Sequence, residues 1–265
     1  MDRPVTACIV MYRNDRDKLR AAIDSTLGSP LVETLYLVDN SPTDELRDLA
    51  DDPRIEYLHN PSNPGFGAAH NLAIAKVLGR SKFHMVVNPD VYFEPEAIEE
   101  LHEFMLEHPE VGHVMPKVLY PDGSLQYLVK RNPSVFDLFA RRFLPGPLKP
   151  LVAKRMARYE YRDIDENPAH DYSKTMFDVP YLSGCFMFLR TSTLHRVGFF
   201  DERIFMYIED ADLTRRFLQV SRTAYYPGAT IHHHFAKGSH HNRKLMWYSI
   251  QGAFVYFRTW GWFGR

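Results

Sequence analysis

Four short apolar runs in the first ninety residues, each closing on polar or turn-forming residues, constrain the fold more than any other feature of the chain. Val5 to Met11 (VTACIVM) is almost unbroken in apolar character, as expected of a strand buried on both faces of a parallel sheet. Asp15 to Leu27 follows with Leu19, Ala22, Ile23 and Leu27 at helical spacing, and Gly28-Ser29-Pro30 ends it. Thr34 to Val38 and Ile55 to Leu58 read as the second and third strands, with a short helix expected over Asp44 to Ala50. Asn63-Pro64-Gly65-Phe66-Gly67 is a loop feeding a helix from Ala68 to Leu78, and FHMVV from Phe83 is the fourth strand. Strands alternating with helices through short connections predict an α/β fold built of parallel βαβ units.

Such sheets bind ligands at the carboxyl ends of their strands. Three polar clusters fall there: Tyr12-Arg13-Asn14, Asp39-Asn40-Ser41 and Asn88-Pro89-Asp90. Pro89 cannot donate to a ladder, so pairing stops and Asp90 is turned toward the cleft. A carboxylate so placed either caps the turn or ligates a hard cation such as Mg²⁺ or Mn²⁺. Further along, Pro95 to Glu107 reads as a helix, Val111 to Leu119 as a strand, Asp122-Gly123 as a hairpin turn and Tyr181 to Leu189 as one continuous strand. A short helix is expected over Thr191 to Val197, others over Asp210 to Gln219 and Leu245 to Trp260, and a histidine-rich loop after Ile231.

Two clusters in this second half can carry chemistry. Glu209, Asp210 and Asp212 place three carboxylates within four residues at a helix start. Asp212 reads as a helix cap, whereas Glu209 or Asp210 can serve as a general base. His232, His233, His234, His240 and His241 crowd ten residues, which fits either metal ligation or a solvated run. No HExxH or CxxC frame accompanies them, so a zinc hydrolase is not indicated.

Charge and cysteine usage exclude other classes. The net charge of −1 gives no global attraction to nucleic acid. Cys8 and Cys185 are far apart, which argues against a disulfide framework and for a reducing compartment. No run approaches the roughly 20 apolar residues of a membrane helix, and the first residues lack a signal-peptide pattern, so a cytoplasmic location is expected. One stretch departs from the average. Between Lys130 and Arg162 nine basic residues face two acidic ones, interleaved with apolar side chains, a pattern compatible with an anionic membrane surface or with an ordinary solvated helix pair.

Taken together, CIVMYRN, LYLVDNSPTD, NPGFGAAHN, VVNPDV, LSGCFMFLRTSTLHRVGFFDERIFMYIEDADLTRRF and YYPGATIHHHFAKGS resemble family 2 inverting glycosyltransferases of the GT-A fold. The likeness is greatest to bacterial rhamnosyltransferases of O-antigen and cell-wall assembly, and the aromatic tail WYSIQGAFVYFRTWGWF fits it too. The resemblance implies a nucleotide-sugar donor, dTDP- or UDP-linked, a lipid-linked or glycan acceptor, and a divalent cation. Asp90 stands where the family holds the metal on the donor diphosphate, with Asn88 beside the ribose in place of the family's first Asp. Asp39 stands at the nucleobase position, Tyr12 and Asn14 in the first loop, and Asn63, Gly65 and Asn71 beneath the nucleotide. Asp210, within Glu209-Asp210, matches the catalytic base, and His232 or His234 a distal histidine able to complete the metal site.

The resemblance also implies a GT-A domain over residues 1–240, with a nucleotide-sugar-binding half to residue 95 and an acceptor half after it, followed by a C-terminal helix over 241–265. That helix serves equally well as a membrane contact or as a homodimer interface. A related enzyme using UDP-galactofuranose, UDP-hexose or UDP-N-acetylhexosamine, and a non-catalytic nucleotide-sugar-binding protein, are the competing readings.

Overall fold

The structure, a computed structural model, describes residues 4–77, 79–138, 148–235 and 243–262. Arg141, Arg142, His240 and His241 lie outside the described residues. Strand β1 (Val5–Met11) is buried along its whole length and sits near the middle of a nine-stranded sheet. Its odd-numbered residues pack against helix α1 (Arg16–Gly28) through Leu19, Ala22 and Ile23. Its even-numbered Cys8 and Val10 pack against helix α2 (Phe66–Val77) through Ala69, Ala73 and Val77. Two helices on opposite faces are why the strand reads as a continuous apolar run rather than an alternating one.

Strands β2 (Val32–Asp39), β3 (Ile55–His59) and β4 (Phe83–Val87) extend the parallel half, in the order β3-β2-β1-β4. Beyond β4 the sheet turns mixed. Strand β5 (Val91–Tyr92) follows the Asn88-Pro89-Asp90 turn, and helix α3 (Glu96–Glu107) leads to strand β6 (Val111–Leu119). The pair β7 (Val129–Lys130) and β9 (Tyr181–Leu182) forms a separate small sheet, with helix α4 (Lys149–Tyr159) and strand β8 (Met176–Phe177) between them in sequence. Strand β10 (Phe186–Arg190) lies antiparallel between β4 and β6. Helix α5 (Thr191–Val197), helix α6 (Glu209–Phe217), strand β11 (Arg222–His233) and helix α7 (Arg243–Trp260) complete the chain. Strand β11 runs parallel to β6, while its last two residues pair antiparallel with β5.

Three local expectations need correction. The short helix over Asp44 to Ala50 is a single 3₁₀ turn at Arg47–Leu49. The continuous strand Tyr181 to Leu189 is two strands, broken at Ser183-Gly184-Cys185. His232 and His233 belong to β11 rather than to a loop, because β5 supplies a partner of only two residues that no sequence pattern announces.

The core encloses three histidines with no exposed surface: His70, His84 and His113. His84 Nδ1 meets the Thr6 hydroxyl at 2.9 Å, whereas both ring nitrogens of His70 and of His113 lack partners. Burial pushes His84 and His113 down to about 3, and His70 well below the ordinary histidine range. Because the folded pKa values are depressed, the unfolded chain takes up protons first as pH falls below about 6.5. Stability conferred by the neutral rings is therefore whole above that pH and declines down to about 3, each histidine contributing a slope approaching ~1.4 kcal/mol per pH unit. Thermal unfolding between pH 7.5 and 5 should show a steep fall in Tm, and His113→Phe should flatten it; an equally steep fall in the variant would remove His113 from this account.

Candidate active site

Parallel pairing of β1, β2 and β4 brings their carboxyl ends to one edge of the sheet, where the loops are tied to one another. After β1 the backbone turns through Arg13 at φ 51°, the Asn14 side chain accepts the Tyr12 N–H at 2.6 Å, and the Arg13 N–H donates to the Ser41 hydroxyl at 2.9 Å. Tyr12 is left half exposed. Asp39 is fully buried, its carboxylate accepting the Ser41 N–H at 2.8 Å and the Tyr57 hydroxyl at 2.7 Å. Asn40 Nδ2 donates to the Asn63 side chain at 3.4 Å, joining this edge to the loop before α2.

That loop is shaped by backbone conformations few side chains tolerate. Asn63 has φ 45° and Gly65 φ 104°. A Cβ on Gly65 would lie 2.3 Å from the Phe205 carbonyl oxygen, which also accepts the Phe66 N–H at 2.9 Å. Asn71, the remaining candidate here, is buried, and its amide is occupied. It donates to the Phe200 carbonyl and to Glu202, and accepts the Phe200 N–H, each at 3.0 Å. It staples α2 to the segment leading to α6.

At the end of β4, the Asp90 carboxylate pairs with the His233 ring, while the His234 N–H donates to the Asp90 carbonyl at 3.0 Å. His233 Nε2 lies 3.3 Å from Asp90 Oδ1, and its Nδ1 lies 3.1 Å from Gln126 Oε1. Gln126 Nε2 in turn donates to the His233 carbonyl at 2.7 Å, so the ring is held from both sides. The alternation of β11 sends His232 and His234 the other way, where both rings lie against Tyr92 at 5.0 and 5.2 Å. Burial alone would lower the His233 pKa, but the Cys185 sulfur and the Asp90 carboxylate beside it hold it up at about 10. For Asp90, burial acts upward and is outweighed by His233, so its carboxyl sits below the ordinary range. Asn88 is anchored by its N–H to the Cys185 carbonyl at 2.9 Å.

The second centre lies at the start of α6. Tyr207 and Ile208 both have φ 72°, a conformation that costs ~1–3 kcal/mol at each non-glycine residue and is least tolerated by a β-branched one. Their turn is held from two sides. Gly65 and Phe66 press on Phe205 from the donor-side loop, while Gly252 of α7 is so close that its Cβ would come 2.9 Å from the Tyr207 carbonyl oxygen. Tyr248 of α7 stacks on Phe205 at 3.9 Å. Beyond the turn, Glu209 is buried with Oε2 unpartnered, and burial together with the neighbouring Asp210 charge raises its pKa well above the usual carboxylate range.

Asp210 is half exposed, its Oδ2 accepting the Gly184 N–H at 2.9 Å and the Tyr181 hydroxyl at 3.3 Å, its Oδ1 only its neighbour Ala211 N–H at 2.9 Å. Asp212 is not a helix cap. It pairs with Arg216 at 2.9 Å and accepts the Trp260 indole N–H at 2.8 Å, fastening α7 to α6.

The break between β9 and β10 joins the two centres. Gly184 holds Asp210, and the next residue, Cys185, holds Asn88 through its carbonyl and touches His233 through its sulfur. One chain step therefore links the carboxylate at the helix start to the carboxylate at the strand end. Sequence reading gave no site role to Gln126, Tyr181, Gly184 or Cys185, and within the histidine cluster it named His232 or His234 as the distal histidine rather than His233. Only period-2 alternation in a strand through the histidines could have singled out the last.

The profile of Glycosyl transferase family 2 matches residues 6–196. The chain belongs to that family. It is 32% identical over 247 residues to the N-acetylglucosaminyl-diphospho-decaprenol L-rhamnosyltransferase of Mycobacterium tuberculosis, covering 88% of this chain and 76% of that protein. A low-salt glycan biosynthesis hexosyltransferase of Haloferax volcanii is 25% identical over 212 residues, covering 78% of this chain and 59% of that protein. Among solved structures, a mannosyltransferase from Pyrobaculum calidifontis in complex with GDP-Man and Mn²⁺ superposes with a TM-score of 0.62 at 15% identity, over 97% of this chain and 65% of that one. GalNAc-T7 with UDP, GalNAc and Mn²⁺ gives 0.61 at 12% identity, over 86% of this chain and 42% of that one. The fold of this family 2 enzyme is GT-A.

Displacing the strained turn should impair the enzyme beyond any loss of stability. Gly252→Val should lower turnover about tenfold or more while changing the donor KM less than about threefold, since small misplacements of a reacting group are costly. Steady-state kinetics beside thermal unfolding check this; full turnover at a reduced Tm would separate α7 from the site.

Proposed function

We propose that the chain is an inverting glycosyltransferase that moves a sugar, L-rhamnose from dTDP-L-rhamnose, onto a lipid-linked or polysaccharide acceptor in cell-surface glycan synthesis. The observation that carries the reading is the coupling of Asp210 to the Asp90–His233 pair through Gly184 and Cys185. The choice of sugar is supported by the Mycobacterium tuberculosis relative, which is named for that transfer. Its diphospho-decaprenol name also favours a lipid-linked acceptor.

The chemistry follows from the two carboxylates at the start of α6. Burial and the neighbouring carboxylate push the Glu209 pKa well above the usual range, and Asp210, more exposed than Glu209, is the carboxylate that faces the cleft. Oδ2 of Asp210 is tied by two donors, so Oδ1, bonded only to the Ala211 N–H, takes the proton of the acceptor hydroxyl. The acceptor oxygen bonds to the anomeric carbon as the bond from that carbon to the phosphate oxygen breaks, and the nucleoside diphosphate departs. One base suffices because no glycosyl-enzyme bond forms, unlike a retaining glycosidase with its second carboxylate. Asp39, with Tyr12 and Asn14, forms the edge that receives the base of the nucleotide, and Asn63 and Gly65 the loop beneath it.

Among the described residues no three acidic, histidine or cysteine side chains gather as a metal site. Asp90 offers a hard oxygen and His233, once it gives up its proton, an imidazole nitrogen, a pair that would suit Mg²⁺ or Mn²⁺ with donor phosphates and water completing the shell. A divalent cation bound there supplies charge neutralisation for the departing diphosphate. Two GT-A neighbours contain Mn²⁺.

Asp210→Asn should lower turnover by about 10²–10⁴-fold while donor binding, read by thermal stabilisation, is retained. Undiminished turnover would remove Asp210 as the base. A panel of dTDP-rhamnose and UDP-linked sugars, with and without Mn²⁺ or Mg²⁺, tests the donor. Transfer from a UDP-hexose alone would replace rhamnose, and nucleotide binding without transfer to any acceptor would favour a non-catalytic protein.

A further inference from the structure

Eight of the fifteen large exposed hydrophobic side chains among the described residues fall in two groups. Of these, Trp247, Ile250, Phe254 and Trp262 lie on or just beyond α7, and Val135, Phe136, Leu148 and Leu151 on the segment around α4. The two groups adjoin. Leu138 packs with Tyr256 and Phe257 of α7, Asn132 to Ser134 line a small cavity of about 140 Å³ with Phe257 and Trp260, and Arg155 of α4 lies over Phe136 at 4.3 Å.

Helix α7 divides cleanly between its two faces. Gly252, Tyr256 and Phe257 are buried against the turn that carries the catalytic carboxylates. The opposite stripe is exposed: Arg243, Lys244, Trp247, Ile250, Gln251, Phe254 and Arg258, at spacings of three and four. Trp247 is 64% exposed and Phe254 53%, with cations at both ends of the stripe and no carboxylate anywhere in the helix. An aromatic and aliphatic centre flanked by basic residues is the composition of a helix that lies in a membrane interface.

The basic stretch singled out in the sequence is less available than it looks. Lys154 and Arg158 pair with Glu166, Arg155 with Asp137, Arg162 with Glu160, and Lys130 is buried over the Tyr181 ring. The cationic contribution therefore falls to α7, while α4 adds apolar reach through Leu151, which is 81% exposed.

We infer that the outer stripe of α7, with the adjoining tip of α4, is a docking surface for an anionic lipid bilayer. The juxtaposition of an exposed Trp-Ile-Phe stripe with Arg243, Lys244 and Arg258, on a helix lacking acidic residues, decides between a bilayer and a second copy of the chain. A two-fold dimer through this stripe would set like charges against each other, whereas anionic head groups complement them. The inference rests on the reading of a lipid-linked acceptor, since it seats the base-bearing turn, through the other face of α7, directly above such a surface.

Flotation of the full chain with vesicles of phosphatidylcholine alone, or mixed with phosphatidylglycerol, tests it. Binding is expected only to the anionic vesicles, falling as salt rises, with a blue shift in tryptophan fluorescence. The triple variant Trp247→Ser, Ile250→Ser and Phe254→Ser should lose about tenfold or more in vesicle affinity. Arg243→Glu with Arg258→Glu should weaken binding while keeping the fold. All these positions lie outside the cleft, so transfer to a water-soluble acceptor should persist in every variant. Absent binding, or binding unchanged in the triple variant, overturns the bilayer surface. A wild-type dimer that the triple variant dissolves overturns it in favour of a second copy. Loss of this surface with transfer intact would leave the proposed reaction standing, and absent transfer with vesicle binding intact would do the reverse.

Discussion

The backbone N–H of Gly184 and the carboxylate of Asp210 make the contact on which the rest of the site depends. A strand would normally spend that N–H on its neighbour, and here pairing stops after Leu182 and resumes at Phe186 so that it can reach a side chain. The bond is charge-assisted and therefore stronger than the ladder bond it replaces. Glycine also eases the approach, since a Cβ there would sit 3.0 Å from the Asp210 Cβ and push that side chain aside by a few tenths of an ångström. Once the chain is bent there, Cys185 follows without freedom, its carbonyl beneath Asn88 and its sulfur against His233. The carboxylate at the helix start and the one at the strand end thus share a single rigid corner.

Strain is concentrated on the opposite side of the same carboxylate. Tyr207 and Ile208 would relax out of the left-handed region if free, and the two close approaches around them prevent it. One comes from the loop that begins α2, the other from α7. Asp212, Arg216 and Trp260 then lock α7 to α6, with Arg215 stacked on Trp260 at 4.4 Å. The inner face of α7, through Tyr248, Gly252 and Trp260, accordingly supports the turn before Asp210, although the helix looks like an appendage in sequence. Glycines at 65, 184 and 252 carry this design, each at a place where a backbone must come close to another chain segment.

The parallel half of the fold was legible because burial on both faces leaves a plain signal: Val5 to Met11 and Phe83 to Val87 read directly as strands. So did the strand-end clusters, since topology alone sends them to one edge. What escaped was set by long-range pairing. His233 points to Asp90 only because β5 and β6 fix the register of β11, and Gly184 breaks a strand only because Asp210 arrives from 26 residues away. The basic stretch misled for a related reason, since the carboxylates that neutralise it come partly from outside it, at Glu166. Local pattern reports periodicity and punctuation; it does not report which distant backbone will arrive to use them.

Asn88 is the clearest case of a single residue altering the physics of the site. An aspartate there would add a second negative charge to the floor that, in the proposed function, receives a diphosphate. At a separation of about 5 Å and an effective dielectric constant near 20, each such like-charge contact costs on the order of 3 kcal/mol. With asparagine, the floor holds one carboxylate, already balanced by the imidazole of His233, and Gln126 keeps that ring in place. A proton on His233 and a cation on Asp90 are then alternative ways of balancing the same charge. An asparagine at residue 88 and a buried histidine against residue 90 are two parts of one electrostatic arrangement, which keeps the negative charge at this strand end to a single carboxylate paired with an imidazole.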